Sequence, residues 1–212
     1  MIGYRKRLQV LAIALSALAG YVDAIGFLEL GGFFVSFMSG NSTRMAVGLA
    51  DHAADAWLAA ALIATFVTGV VLGSVVSHTS GRYRRAAVLL VVALLLSCGV
   101  MLDEIAPAPW AMGAVVLAMG AENAVFQRDG EVSIGVTYMT GTLVKFGQRL
   151  AGSFFGGAPF AWLPYLLLWA GLSAGAAAGA LIYPHFGLQA LWAAAAAAAL
   201  MAGLTLLLKL EE

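Results

Sequence analysis

Phe37-Met38-Ser39-Gly40-Asn41-Ser42-Thr43-Arg44 returns later in the chain as Tyr138-Met139-Thr140-Gly141-Thr142-Leu143-Val144-Lys145. An aromatic residue, a methionine, a hydroxyl, a glycine, a polar side chain and a cation recur in one order. Outward from these stretches the agreement continues. Asp23-Ala24 aligns with Asn123-Ala124, Leu49-Ala50 with Leu150-Ala151, and Gly69-x-x-x-Gly73 with Gly175-x-x-x-Gly179, while His78 falls near His185. One such match is cheap; the ordered series marks an internal repeat, with residues 1–105 as the first copy and 106–212 as the second.

The solvent of this repeat follows from composition. Hydrophobic residues make up 62% of the chain and charged residues 10%, against about 25% charged in ordinary soluble domains. Mean hydropathy is +0.94. So few charges do not cover a soluble surface, and the chain reads as an all-α integral membrane protein. A bilayer core about 30 Å thick needs roughly 20 apolar helical residues, because lipid leaves backbone groups nothing else to bond to. Six runs qualify, near Leu8 to Leu28, Trp57 to Ser77, Ala86 to Leu102, Trp110 to Phe126, Phe160 to Tyr183 and Phe186 to Leu208. The zero net charge gives no sign of a nucleic-acid partner, and the single Cys98 excludes an internal disulfide and a cysteine metal cluster.

Gly31 to Ala50 and Ile134 to Gly156 are apolar but interrupted, and the positive-inside rule bears on whether they cross. If both dip in and return, Arg5, Lys6 and Arg7 share a side with Arg82, Arg84 and Arg85, joined by Arg128 and Lys209. Lys145 and Arg149 then enter from that same side. This re-entrant reading places both termini in the cytoplasm. Each half has three spans and one re-entrant segment, and since three is odd the second half is inverted, a 3+3 inverted repeat. Trp57 and Trp110 fall at outer span ends, Tyr83 and Trp162 at inner ones. The N-terminus imitates a signal peptide, with Ala17-Leu18-Ala19 as a cleavage site, but the repeat partner of this segment argues that it is retained.

Gly20-Tyr21-Val22-Asp23-Ala24-Ile25-Gly26-Phe27, followed by Phe33 to Phe37 and Met38-Ser39-Gly40-Asn41-Ser42-Thr43, resembles the YoaK family of bacterial membrane proteins over nearly the whole chain. Ser39 and Ser42 stand where that family usually has threonines, keeping the hydroxyls. The resemblance implies a multi-pass protein of the bacterial inner membrane with about six spans, and no substrate.

Chemistry concentrates at the interrupted segments. Asp23 lies well inside the first span, where a carboxylate costs at least about 2.5 kcal/mol. It reads either as a helix-pinning group, bonded to Arg44 or Asn41, or as a substrate contact or proton carrier. Its aligned position holds Asn123, beside Glu122; both are candidate substrate-site residues, and Asp23 or Glu122 is the candidate for coupling to protons. Ser39, Gly40 and Asn41, with Thr43, and Thr140, Gly141 and Thr142 read as a substrate site in which Asn41 and Thr142 cap two half-helices whose N-termini face a polar or anionic solute. Arg44 and Lys145 are the charge partners. Close-packed helix crossings are the structural alternative. Gly69-x-x-x-Gly73 and Gly171-x-x-x-Gly175-x-x-x-Gly179 read as tight contacts within the chain or between two copies in a homodimer. Three histidines, His52, His78 and His185, are scattered, so no metal site is expected, and no cofactor. Cys98 reads as a buried thiol. Lacking a nucleophile-base pattern, the chain is not expected to be an enzyme. The reading is a small secondary transporter or exporter, with its site at the midplane between inverted repeats; a passive channel and a structural or assembly factor are the alternatives.

The topology is directly measurable. With Cys98 replaced by Ser and single cysteines placed at Ala54 or Thr79, an impermeant maleimide added to intact cells should label position 54 and spare position 79. The opposite pattern removes the shared side of the basic clusters.

Overall fold

The computed structural model describes residues 6–51, 53–105, 107–128 and 131–208. Arg5, His52 and Lys209, used above, lie outside the described residues, as does the side chain of Arg128. The elements are α1 Lys6–Glu29, α2 Met38–Asp51, α3 Ala53–Thr79, α4 Arg84–Ile105, α5 Ala108–Glu122, α6 Met139–Phe154, α7 Leu163–Phe186 and α8 Leu191–Leu207. A small antiparallel hairpin, β1 Gln127–Arg128 with β2 Glu131–Val132, sits between α5 and α6. The sequence analysis did not anticipate it.

Among the described residues, five stretches are long and apolar enough to cross a membrane: Lys6–Glu29, Ala53–Thr79, Gly81–Ile105, Pro109–Phe126 and Leu163–Leu207. The expected number is six. The fifth stretch is 45 residues, which at 1.5 Å per residue is about 68 Å, more than twice the hydrocarbon thickness. It contains both α7 and α8, separated by a 3-10 turn over 187–190 whose Gly187 has φ of 53°. Val67, Val71, Leu94, Leu181 and Leu200 are exposed on the outside of the bundle, an arrangement suited to lipid and costly in water. Cys98 is also exposed; the expectation of a buried thiol fails because its turn of α4 presents Leu96 and Gly99 to the interior instead.

The core is built from Leu15 and Ile25 of α1, Leu89 and Leu96 of α4, Met119 of α5 and Leu191 of α8. Helix α1 packs along α7, α3 along α5, and α4 against both α5 and α8, while α2 lies on α3 and α6 on α7. The first two pairings share a register. A Cβ on Gly69 would sit 2.3 Å from the carbonyl oxygen of Leu117, and one on Gly175 would sit 1.9 Å from that of Ala17. Gly73 meets Ala121 O as Gly179 meets Tyr21 O, and Gly120 meets Phe66 O as Gly20 meets Leu172 O. Adding 100 to each α1 number gives the α5 residue, and adding 106 to each α3 number gives the α7 residue. Small residues let the backbones approach this closely, which is how helices associate where lipid supplies no hydrophobic drive. These glycine stripes are therefore occupied within the chain, leaving any pairing of two copies to other surfaces.

The glycines divide accordingly. Gly175→Val forces a branched side chain onto an immovable carbonyl and should cost at least the 1–3 kcal/mol typical of overpacking, read as a lowered unfolding midpoint in detergent. Gly203, where a Cβ would meet nothing within 4 Å, should accept Ala with an unchanged or raised midpoint, since Ala is the better helix former by about 1 kcal/mol.

Candidate functional site

Past Glu29 the chain doubles back. Gly31 and Gly32 have φ of 61° and 104°, values that L side chains rarely adopt, and the Gly32 N–H donates to Phe27 O at 2.7 Å. The returning stretch of chain is not helical, so its peptide groups need partners from elsewhere. Asp23 supplies one set: its Oδ1 accepts the N–H of Val35 at 2.9 Å and of Ser36 at 2.8 Å. Asp23 lies six residues before the end of α1, about 9 Å along the axis, so the loop reaches that far back. Asn41 supplies the other set. Its Oδ1 accepts the Phe34 N–H at 3.0 Å and its Nδ2 donates to Phe34 O at 2.7 Å. Arg44, expected as a charge partner, lies over the Phe33 ring at 4.9 Å.

The helices begin earlier than expected. Helix α2 starts at Met38 and α6 at Met139, so Asn41 and Thr142 stand within the first turn rather than at the caps. Asn41 instead braces the loop that precedes its own helix. Gly40 makes room for aromatic rings: a Cβ there would lie 2.5 Å from Phe37 and 2.9 Å from Phe34. The corresponding Gly141 faces open space.

The second interrupted segment uses related chemistry. Asn123 Nδ2 donates to Met119 O at 3.0 Å, and its Oδ1 accepts the Thr137 hydroxyl at 3.1 Å. Ser133 donates its N–H and its hydroxyl to Phe126 O. The Ser16 hydroxyl, on α1, is shared between Val136 O and Leu168 O at 3.0 Å each. Thus the first loop meets α1 at Asp23 and the second meets it at Ser16. Two helical turns, about 10 Å, separate the two points along one side of that helix.

Glu122 stands apart from this economy. It is 0% exposed, and among the described residues neither of its carboxyl oxygens has a hydrogen-bond partner. The α1 residue in the same register is Val22, likewise 0% exposed, so an apolar side chain fills the equivalent position.

Of the residues singled out in the sequence, Asp23, Asn41, Glu122, Asn123 and Thr142 face inward, Asp23 partly buried and the others buried, and Ser16 and Thr137 join them. Ser39, Thr43, Thr140, Gly141 and Lys145 are exposed on the faces of α2 and α6 turned away from the bundle. Ser16 and Thr137 were missed by sequence reasoning, although a lone hydroxyl two turns before Asp23 was a readable signal. Among the described residues no three His, Cys, Asp or Glu side chains come together as a metal site would require.

A family profile described as "Protein of unknown function (DUF1275)" matches residues 11–204. The UPF0700 transmembrane protein RA0705 of Rhizobium meliloti (strain 1021) is 37% identical over 192 residues, covering 90% of this chain and 83% of the relative. No solved structure matches.

If the two side chains act as braces, their removal should show in stability. Asn41→Ala leaves both polar groups of Phe34 unpaired, at about 1–3 kcal/mol each, and Asp23→Ala does the same to Val35 and Ser36. Asp23→Asn retains an accepting oxygen and should cost far less. Unfolding midpoints in detergent rank the three; equal midpoints for the Ala and Asn variants at position 23 would remove the brace.

Proposed function

The chain belongs to the DUF1275 family of transmembrane proteins, and from that premise we propose a small secondary transporter that couples a proton or cation to the movement of a small polar solute. The observation that carries this reading is Glu122. A partnerless carboxyl group in a membrane interior is expensive, and such groups mark proton and ion paths. The Val22 counterpart argues that an apolar residue fits this position, so packing alone gives no reason for the carboxyl.

Several features support the wider architecture. The matched registers of α1 on α7 and α5 on α3 favour two structural repeats, 1–105 and 106–212. The length of Leu163–Leu207 and its break at Gly187 favour six crossings. An odd number of crossings per half makes the repeats inverted, and inverted repeats with broken segments hold solute sites near the midplane. The return of the first loop to Asp23, and the short connection from Asp51 to Ala53, favour a re-entrant α2 whose two ends belong to one face. On this reading the protein resides in the bacterial inner membrane with both termini cytoplasmic.

Within the site, Asp23 and Asn41 hold the first loop, Asn123 and Thr137 hold the second, and Thr142 contributes a buried hydroxyl beside it. Glu122 takes and releases the coupling ion. An anionic solute has less to gain here, because Asp23 already occupies the N–H groups of Val35 and Ser36 and brings its own negative charge. A carrier is favoured over an open pore because Leu15, Leu89, Leu96 and Met119 are fully buried in one apolar core cluster.

Glu122→Gln keeps the shape and removes the ionisable proton. A thermal-shift screen of small polar metabolites on the purified parent identifies a binder. Proteoliposomes then test its uptake under an imposed pH gradient. The parent should accumulate the solute saturably, and the variant should still bind it yet lose gradient-driven uptake. Parental uptake with parental pH dependence in the variant would overturn the role of Glu122.

A further inference from the structure

We propose that α6 and the turn following it form a binding surface for the headgroup of an anionic phospholipid. Lys145 and Arg149 are four residues apart on α6, hence on one face in successive turns, and both are exposed. Neither makes an ion pair or hydrogen bond among the described residues. The chain offers them little prospect of one, because no Asp or Glu occurs from Val132 to Leu210, a stretch that contains α6 itself and α7, on which it packs. Two cations on a membrane protein therefore lack a counter-charge from their own surroundings.

The end of the helix shows where they reach. Phe154, Phe155 and Phe160 are 77%, 89% and 70% exposed. Trp162 donates its indole N–H to Pro159 O at 2.8 Å and meets Phe146 of α6 edge-on at 6.0 Å. Exposed aromatic rings gathered at a helix end mark the interface between hydrocarbon and headgroups. Arg149 is about 8 Å from Phe154 along the helix, close enough for its long side chain to extend toward that interface with its stem in the apolar layer, and Lys145 stands one turn behind it on the same face. The phosphate of an anionic lipid supplies the missing charge, while Val144 and Phe154, exposed on the same helix, offer apolar surface to its acyl chains. The occupant is thus a lipid of the surrounding leaflet, and the surface is separate from the proposed ion path at Glu122.

The test uses the full chain in neutral detergent, titrated with phosphatidylglycerol, phosphatidylcholine or inorganic phosphate. Lipid retention is counted by native mass spectrometry, and unfolding midpoints are followed alongside. Phosphatidylglycerol should be retained in preference to phosphatidylcholine and should raise the midpoint; inorganic phosphate should not. Lys145→Gln with Arg149→Gln should lower the affinity for phosphatidylglycerol about five-fold for each charge removed. The exchange Lys145→Arg with Arg149→Lys, which keeps both charges, should retain it. Equal retention of the two lipids by the parent overturns the proposal without needing a variant. So does an equal response to free phosphate, or a double Gln variant that changes the oligomeric state while keeping the lipid preference.

Discussion

The segment from Gly31 to Phe37 folds back on α1 without being helical, so its peptide groups have no helical partners of their own. Everything distinctive about the first half follows from that constraint. Asp23 accepts the N–H groups of Val35 and Ser36, and Asn41 answers both polar groups of Phe34. Without those partners these peptide groups would be left unpaired, at about 1–3 kcal/mol each. A carboxylate buried in lipid and a peptide chain without hydrogen bonds are each costly; brought together, each removes much of the other's cost. The glycines at the turn, the aromatic rings stacked around Gly40 and the cation over Phe33 are arranged about this join.

The second half meets the same constraint with weaker groups. Asn123 stands for Asp23 and bonds the Thr137 hydroxyl rather than two backbone N–H groups, and a short hairpin between β1 and β2 satisfies part of the preceding backbone. Helix packing is nonetheless the same on both sides, with glycines of α7 and α3 seated against carbonyls of α1 and α5 in one register. The two halves thus share a packing scaffold but carry unequal polar groups. Val22 and Glu122 are the sharpest case: one register position, two burials at 0% exposure, and one ionisable group.

Charge is distributed with similar economy elsewhere. No Asp or Glu occurs from Val132 to Leu210, and Lys145 and Arg149 of α6 are exposed. Arg44, the counterpart of Lys145, is drawn back over Phe33. The two broken segments thus differ in where their cations lie as well as in how their loops are held.

The sequence by itself determined the solvent and most of the helices, because hydropathy is a local property that lipid reads directly. Asp23 was legible as important for the same reason: a carboxylate in an apolar run requires a partner wherever the chain goes. What that partner is could not be read, since Val35 and Ser36 contribute backbone groups that every residue has. Asn41 looked like a helix cap, and only the backward path of the loop turned it into a brace for Phe34. Cys98 looked buried because apolar neighbours surround it in sequence, yet the rotation of α4 against α5 and α8 turns it outward. Glu122 carries the same lesson most plainly. Its place beside Asn123 was visible in the chain, but full burial without a partner depends on how neighbouring helices close around it, and that is decided by tertiary packing.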